Sequence, residues 1–327
     1  GLMAAMGAIP PDALEGFTVL GELGLDGTIA EVAGVLPAAI AANQRGHGLI
    51  CPAASGSEAA WASNELNVLA PRSLIQLANH FKGTQVLSRP QPAVRSEGVP
   101  LPDLGDIKGQ ESAKRVLEIA AAGGHNLLMS GPPGAGKSMM ASRLPSILPP
   151  LGPRELLEVS MIHSVAGALA GGELTNRRPF RAPHHSASMA ALVGGGLRAR
   201  PGEVSLAHHG VLFLDELGEF APSTLDGLRQ PLEEGVVRVA RANTRVSLPA
   251  RFTLIGATNP CPCGGGAPGS CECDEAALAK YRRRFNGPFL DRFDVRVLVH
   301  RPGVEELLGS EVGENTESVA ARVLRTR

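Results

Sequence analysis

Apolar residues gather into short runs along the second two thirds of the chain, separated by stretches of helical spacing. Leu127 to Met129, Val211 to Leu214, Phe252 to Ala257 and Val295 to Val299 are such runs, and short apolar runs bounded by turn residues predict buried strands. Gln110 to Ala122 has helical spacing, and a second helix is predicted from Lys137. Strands alternating with helices predict a three-layer α/β domain on a mainly parallel sheet. Nearer the N-terminus, Glu31 to Asn43 is Ala-rich and helical in spacing around Pro37. Pro90, Pro92, Pro100 and Pro102 crowd residues 88–105. Proline fixes φ and disfavours helix in the residue before it, so this stretch predicts an extended linker. An ordered loop packed on the next domain fits equally well. The expected division is a first domain at 1–87, a linker at 88–105, a second domain at 106–302 and a helical start at 303–327, where the chain reads as cut short. No internal repeat is evident.

Composition narrows the classes. The 327 residues fit two domains of about 150 residues each. Hydrophobic residues at 43% and charged ones at 19% exclude a wholly disordered chain. No apolar run approaches the ~18 residues of a membrane span, and the N-terminus lacks the basic region of a secretory signal. The expectation is a cytoplasmic protein with no membrane partner. Lys and Arg number 31 against 32 Asp and Glu, a net charge of −1. That leaves nucleic-acid binding to local patches. Nine Phe, one Tyr and one Trp are too few for a base-stacking platform, so any such contact is expected to run through Arg and phosphate.

The run Gly131-Pro132-Pro133-Gly134-Ala135-Gly136-Lys137-Ser138 fits G-x-x-x-x-G-K-[ST] between a predicted strand and a predicted helix. Its glycines let backbone N–H groups cradle phosphates, and the helix N-terminus adds a favourable dipole. Lys137 brings positive charge to the β- and γ-phosphates, and the Ser138 hydroxyl is a hard oxygen ligand for Mg²⁺. Val211 to Leu214 then delivers Asp215 and Glu216 at a strand end. Two carboxylates there are costly unless a cation meets them. Mg²⁺ accounts for Asp215, and Glu216 then polarises the attacking water. A chance glycine turn and an ordinary strand end are the bland alternatives, disfavoured by the agreement of the two motifs.

Asn259, after Ile255 to Thr258, either orients that water, touches the γ-phosphate, or merely forms a turn. Arg292, within Phe289 to Asp294, is a candidate to reach a neighbouring subunit's γ-phosphate, a contribution of about 10³–10⁵ in rate. Its alternative is an ion pair with Asp291 or Asp294. Among five cysteines, Cys51 stands alone and is expected in a core. Cys261, Cys263, Cys271 and Cys273 form two C-x-C pairs around a loop with Gly264 to Gly266, Pro268 and Gly269. Four such thiols suit a structural zinc knuckle, with an iron–sulfur cluster, disulfides or unligated thiols as alternatives. The pairs His184-His185 and His208-His209 lack accompanying ligands at metal spacing, so hydrogen-bonded structural or interface roles are expected. Val236 to Arg251 holds Arg238, Arg241, Arg245 and Arg251 and no acid. It predicts a β-hairpin around Asn243 that presents Arg, on a solvated face, at a subunit interface or toward a phosphate-bearing partner. The run Lys280, Arg282, Arg283, Arg284 after the cysteine loop is a weaker nucleic-acid candidate, or else serves the neighbouring nucleotide site.

These motifs, in this order, resemble the AAA+ ATPases. Arg181-Ala182-Pro183-His184-His185-Ser186, Gly194-Gly195-Gly196, Pro201-Gly202-Glu203 and Leu206-Ala207-His208-His209-Gly210 resemble the magnesium-chelatase-like branch, and the whole is similar to the competence protein ComM family. The resemblance implies ATP and Mg²⁺, a homo-hexameric ring with sites between subunits, and a DNA helicase promoting branch migration in natural transformation. It implies Lys137 and Ser138 as Walker A, Asp215 and Glu216 as Walker B, Asn259 as sensor 1 and Arg292 as arginine finger. It sets Ile107, Gly109 and Gln110 around the adenine and begins a C-terminal lid at 303–327. Arg238, Arg241 and Arg245 would face single-stranded or branched DNA. Residues 18–80 resemble a partial Lon-protease-like α+β domain through Leu23-Gly24-Leu25-Asp26-Gly27 and the Ala-rich helix. With no Lys before Lys82 and no Ser before Ser55, the Ser–Lys dyad of such peptidases has no place there, and a silent domain is expected. Two rivals stand beside this reading: a magnesium chelatase ATPase subunit, and a nucleotide-gated assembly module without a DNA role.

Overall fold

The structure, a computed structural model, describes residues 2–95, 100–195, 200–241, 244–265, 271–284, 287–308 and 313–327. The chain divides into two units, Gly1–Gly98 with Gly152–Asn176 and Val99–Leu151 with Arg177–Arg327. Residues 152–176, inside the sequence interval 106–302, therefore group with the first unit.

In the second unit the four apolar runs and a short strand that no such run marks, Phe180–Arg181, become a five-stranded sheet. Its strands are β1 (Leu127–Ser130), β2 (Phe180–Arg181), β3 (Val211–Leu214), β4 (Thr253–Thr258) and β5 (Val295–Leu298), in the order β5-β1-β4-β3-β2. Every neighbouring pair is parallel, with Leu127 registered against both Ile255 and Val295, and Phe213 against Ile255. Strand side chains alternate between faces, and the sequence is apolar on both. Leu127, Met129, Val211, Phe213, Ile255 and Ala257 enter one core. Leu128, Leu212, Leu214 and Leu254 enter the other. The helices are α1 (Glu111–Gly123), α2 (Lys137–Ile147), α3 (Glu275–Arg284) and α4 (Thr316–Thr326). The first core is closed by Leu117 of α1, Met140 and Leu144 of α2, and Val319 and Val323 of α4. Leu192, Val204, Phe220, Phe289 and Phe293 close the second. Burial on both faces makes this the three-layer α/β architecture of a P-loop AAA+ domain. Because the strands are parallel, Gly131, Asp215, Asn259 and Val299 all leave the sheet at its C-terminal edge, where open α/β sheets bind ligands.

A separate antiparallel ribbon, Val236–Arg241 with Thr244–Pro249, pairs Arg238 with Ser247, Ala240 with Arg245 and Arg241 with Thr244. Asn243 at its tip lies outside the described residues, as do Gly196, Gly266, Pro268 and Gly269.

In the first unit, Phe17–Val19, Gly48–Ile50 and Val68–Leu69 form a parallel sheet in that order. Leu49 and Val68 pack with Val35, Ala39 and Ala42 of the helix Val35–Gln44. Pro37 falls in that helix's first turn, where the missing N–H breaks no bond. Cys51 is in this core, and burial pushes its thiol up to about 12. Glu58 is buried as well. It accepts the Leu36 N–H (2.8 Å) and the hydroxyl of Ser164 on the helix Pro153–Ala166. Part of the Pro-rich stretch is bonded into this unit: the Arg89 guanidinium donates to the Ser63 carbonyl (2.8 Å), the Ala93 N–H to Ser57 Oγ (2.9 Å) and the Trp61 indole to the Ala93 carbonyl (3.2 Å). Among the described residues no helix is long and apolar enough to cross a membrane.

Candidate nucleotide site

β1 runs into the glycine-rich loop and the loop runs into α2, so Lys137 opens the helix. The Gly131 N–H donates to the Thr258 carbonyl (3.1 Å), tying the loop to β4. A Cβ on Gly131 would lie 2.1 Å from the Val299 carbonyl oxygen, so no side chain fits there. The Lys137 ammonium is buried and donates to the carbonyls of Gly131 (2.6 Å) and Pro132 (3.0 Å) and to Asn259 Oδ1 (3.2 Å). Burial pulls its pKa below the ordinary lysine value, opposed by the Asp215 and Glu216 carboxylates. A dehydrated cation aimed into a backbone cradle is poised for anionic oxygens.

Ser138 Oγ donates to Asp215 Oδ2 at 2.5 Å, and the Glu216 N–H donates to Asp215 Oδ1 at 2.9 Å. A hydroxyl and a carboxylate converging on one point form the hard-oxygen donor set that Mg²⁺ takes. Glu216 adopts a left-handed backbone, φ 48° and ψ 49°. Non-glycine residues rarely do so, and such strain concentrates at functional sites. His185 Nδ1 approaches Glu216 Oε2 at 3.4 Å, and the His184 and His185 rings lie 4.0 Å apart. In the second pair, His208 Nδ1 accepts the Arg251 N–H (3.0 Å), a structural bond.

Gly109 and Gln110 line a cleft of about 980 Å³, shared with His300, Arg301, Glu305 and Glu306. Ile107 is not on its wall but buried in the first core. Gln110 Nε2 donates to the Ala135 carbonyl (2.6 Å), while its Oε1 is buried with no partner among the described residues. A buried orphan acceptor is costly, and an adenine amino group or ribose hydroxyl would satisfy it. Arg292 pairs with Glu233, not with Asp291 or Asp294, and its Nε is buried without a partner among the described residues.

Two neighbours, Arg301 and Tyr281, carried no recognisable sequence signal, and a third, Arg284, was marked only as part of a basic run. Arg301 clamps the loop with two bonds to the Pro133 carbonyl (3.0 and 2.8 Å). The Tyr281 hydroxyl donates to the Asn259 carbonyl (3.0 Å) and lies 3.0 Å from Thr258 Oγ1. Arg284 donates to the Gly218 carbonyl (2.6 Å), just past the carboxylate pair. No motif marks these contacts, because each joins segments distant in sequence.

The four loop cysteines come together, with all four Sγ atoms within 4.8 Å of one another. Backbone N–H groups of Gly265 and Glu272 aim at the Cys263 sulfur. On the hairpin, exposed Arg238 pairs with Glu234 of its own chain. The side chains of Arg241 and Arg245 lie outside what the structure describes.

A family model described as "Magnesium chelatase, subunit ChlI" matches residues 103–307, and one described as "Subunit ChlI of Mg-chelatase" matches residues 1–55. The chain is 44% identical over 328 residues to an uncharacterized protein of Mycobacterium tuberculosis, covering 100% of this chain and 65% of that one. It is 41% identical over 327 residues to the uncharacterized protein YifB of Escherichia coli, covering 100% of this chain and 64% of that one. It is 41% identical over 333 residues to competence protein ComM of Haemophilus influenzae, covering 100% of this chain and 65% of that one. The chain thus spans about 65% of the length of these relatives.

Proposed function

The chain belongs to the magnesium chelatase subunit ChlI family, and from that premise we propose that it is an ATP-hydrolysing AAA+ motor acting on DNA. In this reading it is a cytoplasmic homo-hexameric ring helicase that promotes branch migration during natural transformation. The observation that carries the reading is the meeting of Lys137, Asn259, Ser138 and Asp215 at the edge of one parallel sheet. The likeness to a protein named competence protein ComM supports the part of the reading that concerns competence.

Lys137 exchanges its backbone carbonyls for the β- and γ-phosphate oxygens. Gly109 and Gln110 hold the base in the neighbouring cleft. Glu216 polarises a water and Asn259 orients it toward the γ-phosphorus. The bond to the β-phosphate oxygen breaks, leaving ADP and inorganic phosphate. Mg²⁺ held by Ser138 and Asp215 would neutralise phosphate charge. Arg292 of an adjacent subunit leaves Glu233 and meets the charge on the γ-phosphoryl group. Arg238, Arg241 and Arg245 contact DNA phosphates. Zn²⁺ in the cysteine loop is structural.

The family's own description favours a second reading, the ATPase subunit of a magnesium chelatase working on a porphyrin with partner subunits. ATPase measured with and without branched DNA separates the two. The motor reading expects polynucleotide to raise turnover, and DNA that changes neither rate nor assembly refutes it, leaving the chelatase subunit or a nucleotide-gated assembly module. The Lys137→Ala chain should lose nucleotide affinity by roughly 10- to 100-fold, the worth of charged hydrogen bonds.

A further inference from the structure

We propose that Cys261, Cys263, Cys271 and Cys273 form one thiolate site for a tetrahedral divalent metal, Zn²⁺ above all, and that its occupancy sets the affinity of the adjacent nucleotide loop. The second half rests on the nucleotide reading above.

Three of the sulfurs already lie near the spacing such an ion imposes, and Cys273 is within 4.8 Å of each of them. Zn–S bonds of about 2.3 Å in a tetrahedron separate the sulfurs by about 3.8 Å. Cys261 and Cys263 lie 3.3 Å apart, Cys261 and Cys271 3.6 Å, and Cys263 and Cys271 3.8 Å. These are far beyond the ~2.05 Å of a disulfide, and none of the four cysteines forms one. Cys261 is buried while the others reach the surface, so the site has an inner anchor and an open side for metal entry.

The coupling follows from what the loop touches. It begins directly after Asn259, whose amide oxygen receives the Lys137 ammonium. At its first turn Gly264, with φ +77°, lies flush on the phosphate loop: a Cβ there would stand 2.7 Å from Pro133 Cδ. The same Pro133 carbonyl is clamped by Arg301 from the other side of the sequence. After Cys273 the chain enters α3, where Tyr281 bonds the Asn259 carbonyl and Arg284 the Gly218 carbonyl. Drawing the four thiols together therefore fixes Asn259, Pro133 and the start of α3 at once. Without the metal the cysteine loop no longer anchors these segments, and the Asn259 partner of Lys137 is held less firmly.

The test uses the full chain, purified reduced. Elemental analysis should find one Zn²⁺ per chain, and Co²⁺ exchanged for it should give the intense visible absorption of a tetrahedral thiolate complex. The metal is then stripped, the chelator removed and Mg²⁺ returned. Calorimetric titration with ATP should show affinity lowered about tenfold and restored by Zn²⁺ alone. Circular dichroism reports whether the stripped chain stays folded. If it unfolds, Tyr281→Phe in the metal-loaded protein replaces it, with metal content unchanged and nucleotide affinity reduced. Reduced protein that binds no metal, or binds Co²⁺ without the thiolate bands, overturns the site. Unchanged nucleotide affinity in the folded stripped chain, or in Tyr281→Phe if stripping unfolds it, overturns the coupling. Loaded protein that takes up no nucleotide sinks the nucleotide reading instead, and metal content and the cobalt spectrum then decide the thiolate site alone.

Discussion

Glu216 combines backbone strain with a proposed catalytic carboxylate, so replacing it should move stability and turnover in opposite directions. Its φ of 48° and ψ of 49° lie in the left-handed region, which costs an L-residue about 1–2 kcal/mol. Its ion-pair partner among the described residues is His185 at 3.4 Å, and the Glu216 side chain is 60% exposed, so that pair adds little. Glycine takes the same backbone without strain but gives back about 0.4–1 kcal/mol in unfolded-chain entropy. The Glu216→Gly chain should therefore gain about 1 kcal/mol, raising the Tm by about 2–4 °C. Its ATP turnover should vanish while nucleotide binding survives. Glu216→Gln is the control. It keeps the strain and the shape, so its Tm should stay within about 1–2 °C of wild type, and it too should bind ATP without hydrolysing it. Differential scanning calorimetry and a phosphate-release assay read both quantities. A Glu216→Gly chain less stable than wild type would refute the strain argument. Either variant turning over at the wild-type rate would remove Glu216 as the water-polarising group.

Arg301→Ala frees the Pro133 carbonyl, and titration calorimetry should show ATP binding weakened by about 5- to 10-fold with the fold unchanged; unaltered affinity would reduce the clamp to packing. In the first unit, burial raises the Glu58 pKa above its ordinary 4.5, against the bonds from Ser164 and Leu36. A raised folded pKa means that the stability this group contributes is complete below the unfolded pKa and is lost as pH rises through the folded one. Glu58→Gln keeps an acceptor oxygen without the charge, so denaturant melts should show it gaining on wild type as pH rises past 4.5; a constant difference across pH would contradict this. Charge reversal at Arg238, Arg241 and Arg245 should lower DNA affinity and flatten its dependence on salt, read by fluorescence anisotropy, whereas unchanged salt dependence would take the hairpin out of the interface.

Four of the five strands were legible in the sequence: no surface requirement interrupts Val211–Leu214, which keeps its predicted limits, or Thr253–Thr258, which Phe252 precedes. Phe180–Arg181 was not, because two residues make no apolar run. The phosphate loop was legible because its glycines, Lys137 and Ser138 are contiguous and act through local backbone. What sequence did not disclose is non-local. Arg292 pairs with Glu233, not with the acids beside it. Residues 152–176 join the first unit, where Ser164 meets Glu58 across more than a hundred residues of chain. Tyr281, the chain's one tyrosine, supports Asn259 through its hydroxyl, a contact that depends on where α3 lies after the cysteine loop.

Titration calorimetry of ATP into the Glu216→Gln chain, with Mg²⁺ present, tests the central claim with hydrolysis removed from the signal. Saturable uptake approaching one nucleotide per chain, weakened roughly 10- to 100-fold by adding Lys137→Ala, is the expected result. Heat no different from dilution, in protein shown to be folded, would contradict it.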